Sequence, residues 1–396
     1  MNLANDTSLA LAGTLMSDFA QRTGLLDGDK QPDRYLWTDA FAVCNFLTLF
    51  QRTGDTACRQ QALALIQQVH RVLGQYHNND TRKGWISRLE GAMAIQHPTA
   101  GGLRIGKPQL ERSFSEPLDS NKEWDRDGQY FHYLTKWMHA LSQAAGVTRD
   151  VELLKPALEL AQVAHRRFTY ATSTDSAPRM YWKMDVNLSR PQVAAMGQHD
   201  PLDALLTYRE LARAAGQFTS SANLPSLARE INAAEQMCSN QDWTTDDPLG
   251  IGGLLFDAGR LAQLADGPQP ADGLLLETLL RAAARGLRGF LHSSTLNQPA
   301  EYRLAFRELG LAIGLHALPR IQQLAGGTNQ FANRKLLSYL AEDLLRLPTL
   351  AASIEDFWLR PTNQRSPSWT EHHNINTVML ATSLVPEGFL RLSATL

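Results

Sequence analysis

Apolar residues recur along most of the chain at the three-and-four spacing of amphipathic helices, and polar or glycine-rich breaks divide the runs. The pattern predicts helices at about 7–24, 34–53, 56–76, 125–145, 150–171, 201–215, 223–238, 250–265, 272–292, 301–325, 331–346 and 369–383. The second, fourth, sixth, eighth and tenth are each followed by a glycine: Gly54, Gly146, Gly216, Gly267 and Gly326. Glycine tolerates the left-handed conformation that ends many helices, so five such endings argue for a repeated hairpin.

The connections alternate in length. Even-to-odd links are tight, as at Gly54-Asp55, whereas odd-to-even links are long at about 77–123, 173–199 and 347–367. Long structured loops usually carry function, although they could instead hide a small separate domain. The even helices open on sequences such as YLWTDAFAVCNF, WDRDGQYFHYL and WTEHHNINTVML, which mix aromatic, small and polar residues around the helix. A helix without one clean polar face is enclosed on all sides. The odd helices, such as CRQQALALIQQVHRVL, have one apolar face. Inner even helices and outer odd helices make an all-α (α/α)6 barrel of six hairpins, spanning 1–396 as one domain.

Composition agrees with that reading. Ile and Val number only ten each, which disfavours a large sheet, and 43% of residues are hydrophobic, enough for a large core. A net charge of −2 without a basic block makes nucleic acid a poor partner. No run of apolar residues is long enough to cross a membrane, and no basic residue precedes a short apolar run at the start, so no signal peptide is expected. Three scattered cysteines, Cys44, Cys58 and Cys238, suit a reducing, cytoplasmic compartment.

Polar residues at the inner-helix starts should converge on one pocket. They are Trp37 and Asp39; Trp124, Asp125, Asp127 and Tyr130; His199, Asp200 and Asp203; Asp257; Tyr302, Arg303 and Arg307; and Trp369, Glu371, His372 and His373. The second long loop adds Tyr181, Trp182, Lys183 and Asp185, and the first adds Arg104 and Lys107 for an anionic group. Aromatic faces suit the C–H side of pyranose rings and carboxylates suit hydroxyls, so a small saccharide is the expected partner. Each feature also has a plainer reading: Asp125 or Asp200 as a helix cap, His199 and Asp203 as a structural pair, Thr370 or Glu371 finishing a helix start. No H-E-x-x-H or cysteine cluster suggests a metal, and no phosphate-loop signature suggests a nucleotide cofactor.

Hairpin number, alternation and aromatic-acidic openings together resemble the six-hairpin glycosidase superfamily over nearly the whole chain. Trp124-Asp125-Arg126-Asp127-Gly128 resembles the W-x-R-D-G stretch of some of its members. The stretch from Gly197 to Asp203 is similar to the M-H-L-L-E-A helix of the epimerase-like isomerases, with His199 and Asp203 in the His and Glu positions. The resemblance implies a glycoside hydrolase; Asp127 and Glu371, from non-adjacent inner helices, are the expected acid–base pair. It implies, alternatively, a sugar epimerase or aldose–ketose isomerase, whose two histidines in this chain would have to be His199 with His372 or His373. A barrel that binds sugars without turning them over is the third reading. The chain has no histidine between His199 and His292, where the isomerase resemblance expects one on the eighth helix. That departure favours the hydrolase.

Overall fold

In a computed structural model, residues 3–27, 31–171, 177–218, 224–265, 270–327, 331–345 and 348–393 are described. They fall into two compact units, Ala20–Ser239 with Ser393–Leu396, and Asn240–Leu392 with Met1–Phe19. Helix α1 (Leu3–Arg22) belongs to the second unit as far as Phe19.

The first unit holds α2 (Leu36–Thr53), α3 (Thr56–Leu73), two short helices α4 (Gly91–Gln96) and α5 (Ser120–Glu123), then α6 (Phe131–Thr148), α7 (Val151–Phe168), α8 (Asp200–Gln217) and α9 (Ala228–Cys238). Helix α6 packs on both α2 and α8; α3 packs against α2, α9 against α8, and α7 chiefly against α6. Burial follows the expected division. Every residue of α2 from Leu36 to Leu49 is buried, as is every residue of α6 from Leu134 to Ala145. Helix α3 buries only Ala62, Leu65, Ile66, Val69 and Leu73, a single face. Asp55 and Asp150 cap α3 and α7, accepting from the backbone N–H of Ala57 and Glu152.

The long loops of this unit are joined to each other. Strand β1 (Gln129–Tyr130) from the first pairs with β4 (Lys183–Met184) from the second, which pairs in turn with β5 (Pro191–Val193), all antiparallel. Strands β2 (Thr169–Tyr170) and β3 (Arg179–Met180) form a separate ribbon.

The second unit contains α10 (Pro248–Leu264), α11 (Pro270–His292), α12 (Ala305–Leu315), α13 (Leu318–Gly327), α14 (Arg334–Leu345), α15 (Pro348–Leu359), α16 (Pro367–Thr370), α17 (His373–Leu384) and α18 (Glu387–Leu390). Helix α12 packs on α10 and α17 and is covered by α15. Helices α10 and α12 approach so closely that a Cβ on Gly252 would lie 2.0 Å from the Gly310 carbonyl oxygen.

Several boundaries differ from expectation. Only Gly54 is a left-handed cap, with φ +75°. Gly146, Gly216 and Gly326 lie inside helices, and Gly267 lies outside the described residues. Gly146 serves close approach instead, since a Cβ there would meet the Ser393 Cβ at 2.3 Å; Arg149 adopts the left-handed cap in its place. The helix expected from 125 begins at Phe131, because residues 129–130 are drawn into the sheet. The helix expected over 301–325 breaks at His316–Ala317, just before Pro319, which has no N–H to continue the ladder. The stretch expected to be a loop at 347–367 contains α15.

Candidate active site

The first unit gathers an aromatic wall at the starts of its inner helices. Tyr35 caps α2, and Asp39 reaches back to accept from the Tyr35 N–H at 3.0 Å. Arg34 ion-pairs with Asp39 at 3.5 Å and donates to the Thr23 carbonyl at 2.9 Å. Burial pushes the Asp39 carboxyl up to about 7 in spite of Arg34. This frame sets Tyr35 and Trp37 against α6: the Tyr35 and Tyr133 hydroxyls are 2.6 Å apart, and the Trp37 ring is 5.4 Å from Tyr133 and 6.1 Å from His132. Tyr130 then contacts His132, Tyr133 and Trp182 at 5.1–5.3 Å between ring centres, and Trp124 meets Trp182 edge-on at 5.2 Å. The wall is graded from Tyr130 and Trp37, which are buried, to Trp124, which is 53% exposed.

Two ion pairs hold the loops that carry these rings. Asp127 is buried against the Arg104 guanidinium and also accepts from the Gly106 N–H at 3.0 Å. Gly106 sits at φ +94°, where a Cβ would strike the Arg34 carbonyl oxygen, so the loop can pass this close to α2 only with glycine. Lys183 donates to the Glu123 carboxylate and to the Glu123 and Arg126 carbonyls, each at 2.8 Å, and so ties the second loop to the first. Lys107 lies over the Tyr35 ring at 5.4 Å, and burial lowers its ammonium below the usual range.

At the start of α8 two carboxylates stand one turn apart. Asp203 accepts from the Thr135 hydroxyl at 2.5 Å and from the Lys136 ammonium at 2.6 Å. Asp200 lies 3.7 Å from His132 Nδ1, and its Oδ2 is buried without a hydrogen bond. Burial, reinforced by the charge of Asp203, pushes Asp200 up to about 8. Burial, helped by Lys136, pushes His132 down to about 4. At neutral pH the proton of this pair therefore belongs to Asp200. A carboxyl that keeps its proton at pH 7 beside an aromatic wall can donate it to a departing oxygen.

The remaining expected residues divide between the units. Asp125 is exposed beside Trp124. Asp185 accepts from the Ser189 N–H and hydroxyl at 2.6 Å each, closing a turn. His199 is half-buried, and its carbonyl accepts the Asp203 N–H at 3.0 Å. In the other unit Arg303 is buried on Glu308 at 2.9 and 2.6 Å and over the Phe357 ring at 3.6 Å. Trp369 is buried and stacks on Trp358 at 5.7 Å, while His373 meets Asp18 at 3.1 Å. Glu371 and His372 are exposed, and the His372 ring lies edge-on to Phe306 at 5.6 Å.

Sequence reading passed over His132, Tyr133 and Lys136, and weighed Asp200 both as a pocket residue and as a helix cap. The signal was the aromatic run Tyr130-Phe131-His132-Tyr133 in that helix opening, of which only Tyr130 was singled out. Among the described residues no group of three or more His, Cys, Asp or Glu side chains is arranged to hold a metal. Among the described residues no helix is long and apolar enough to cross a membrane.

No family model matches the chain, and no curated protein matches it. Solved structures do. A GH76 α-mannanase of Bacteroides thetaiotaomicron superposes with TM-score 0.54 at 9% identity, covering 95% of this chain and 96% of that one. The α-1,6-mannanase GH76A of Salegentibacter sp. HEL1_6, an inactive double Asp-to-Asn variant in complex with α-1,6-mannotriose, superposes with TM-score 0.51 at 9% identity. There the coverage is 96% of this chain and 99% of that one. The likeness shows the fold: this chain is an all-α protein of the (α/α)6 barrel class, the fold of the six-hairpin glycosidases.

Proposed function

We propose that the protein is a carbohydrate-active enzyme, a glycoside hydrolase acting on a small saccharide, with Asp200 as its general acid. The observation that carries the reading is the buried Asp200 carboxyl, raised to about 8 with one oxygen unpartnered, next to the wall of Trp37, Tyr130, His132 and Trp182. A pyranose lying on these rings presents its glycosidic oxygen to Asp200, which protonates it as the C–O bond breaks. The exposed carboxylate of Asp125 is the group we assign to activating water. Asp127 is a positioning residue in this reading: Arg104 and backbone donors engage both its oxygens. Glu371 and His372 receive no step. The scatter of Cys44, Cys58 and Cys238 along the chain supports a cytoplasmic setting.

A second reading rests on His132. Its imidazole is held neutral and its Nδ1 accepts no hydrogen bond, so it could remove a proton beside a sugar carbonyl, as an epimerase or isomerase requires. Aryl-glycosides and reducing sugars, assayed side by side, separate the two. The mannanase activity of the similar structures puts α-mannosides first on the panel. For the hydrolase, Asp200→Asn lowers turnover by about 10²–10⁴ with binding retained, and His132→Asn is milder. For the isomerase, His132→Asn abolishes deuterium uptake from solvent next to the carbonyl. Binding without turnover of either class would leave a carbohydrate-binding barrel.

A further inference from the structure

We infer that Asp203 is a positioning residue that keeps the acid proton on Asp200, through a clamp supplied by α6. The inference rests on the hydrolase reading for its purpose, but not for its test. Asp200 and Asp203 occupy the first turn of the same helix, both buried, and two carboxyl groups so placed do not both ionise readily. Which one keeps the proton depends on the donors each receives. Asp203 receives two strong ones, the Thr135 hydroxyl at 2.5 Å and the Lys136 ammonium at 2.6 Å, on one oxygen, and the Thr207 hydroxyl approaches the other at 3.5 Å. These stabilise its charged form.

Asp200 has no such donors. Its Oδ2 has no hydrogen bond, and the flank of Gly197 closes the space beside it, since a Cβ on Gly197 would lie 2.5 Å from that atom. The groups facing Asp200 are His132 and Lys136 from α6, Asp203 from its own helix and the backbone of the Gly197 turn. His132 is kept neutral, so it does not compensate an Asp200 charge. Lys136 is turned to Asp203. The negative charge of Asp203 therefore acts on Asp200 at short range, and the proton stays on the residue nearer the aromatic wall. Because α6 carries both the clamp and the ring positions His132 and Tyr133, the same helix start places the wall and sets the acid.

The test needs no sugar. The C=O stretch of a protonated carboxyl is read by infrared difference spectroscopy across a pH titration of the whole protein, with circular dichroism confirming that each variant is folded. Wild type should show a carboxyl band lost with a midpoint near 8 and absent from Asp200→Asn. Asp203→Asn removes the neighbouring charge and frees Lys136, so the midpoint should fall by about one to two pH units, the worth of one charge about a helical turn away at an effective dielectric of about 20. Lys136→Gln leaves Asp203 less compensated, so the midpoint should rise. An unchanged or raised midpoint in Asp203→Asn, or a lowered one in Lys136→Gln, overturns the inference. Should Asp203→Asn not fold, the direction of the Lys136→Gln shift decides alone. A protein that processes no sugar yet shows both shifts would defeat the proposed function and leave this inference standing.

Discussion

Replacing Asp200 by Asn should change how stability depends on pH, by an amount that can be worked out from the groups around it. In the unfolded chain an Asp titrates near 3.8, whereas folded Asp200 titrates near 8. Between these values the folded state binds the extra proton, so raising the pH destabilises it, by about 1.4 kcal/mol per pH unit. Asp39 acts in the same direction up to about 7. His132 and His70 act the other way: both are pushed down to about 4 by burial, so the unfolded state binds the extra protons from there to about 6.5, and stability rises with pH in that window. His165, also lowered by burial, adds to the rising side, so below about 6.5 the rising and falling contributions oppose each other in wild type. Above 6.5 the histidines have finished, and Asp39 and then Asp200 alone pull stability down, by about 3 kcal/mol at pH 8. Asp200→Asn removes one falling contribution throughout. Its stability relative to wild type should therefore grow by about 2–4 kcal/mol between pH 5 and pH 8, while catalysis is lost. Urea unfolding at half-unit pH intervals measures this directly. A difference between the two proteins that does not change with pH would show that folded Asp200 holds no proton at neutrality, and the general-acid assignment would go with it.

Two further perturbations probe the frame rather than the acid. Gly252→Ala should destabilise the second unit by about 3 kcal/mol, because its Cβ meets backbone on α12 that cannot move aside, whereas the neighbouring Gly253→Ala has open space and should stabilise by about 0.5–1 kcal/mol through helix propensity; thermal melts of opposite sign are the check. Arg104→Met leaves Asp127 buried without its cation and should cost about 3–5 kcal/mol, read as a lowered urea midpoint together with altered fluorescence of Trp124 and Trp182 on the displaced loops.

Whether a helix is buried on one face or all round was legible, because each kind of burial imposes a residue pattern on the helix itself; helix number was not, since the structure divides the stretch expected over 301–325 and adds α15 where a loop was expected. Leu65, Ile66, Val69 and Leu73 show one face of α3, and the unbroken burial of α2 is already visible in its mixed composition. The capping carboxylates Asp55 and Asp150 act just as locally, each bonding within two residues, though the sequence reading did not name them as caps. Of the aromatic positions singled out from sequence, the structure places Trp124, Tyr130 and Trp182 against one another, and Trp37 joins them through His132 and Tyr133. What tertiary structure decided is the work of each polar group. Asp125 and Asp127 look alike in sequence, yet only Asp127 meets Arg104, which arrives from 23 residues away on a loop that Gly106 lets pass close to α2. Gly146 and Gly54 look alike too, and only packing against Ser393 makes one of them a contact rather than a cap. Asp200 and Asp203 differ most of all. Nothing in their shared turn says which is charged; the answer comes from Thr135 and Lys136 on another helix, because the energy of a buried charge depends on donors that the chain can deliver only by folding.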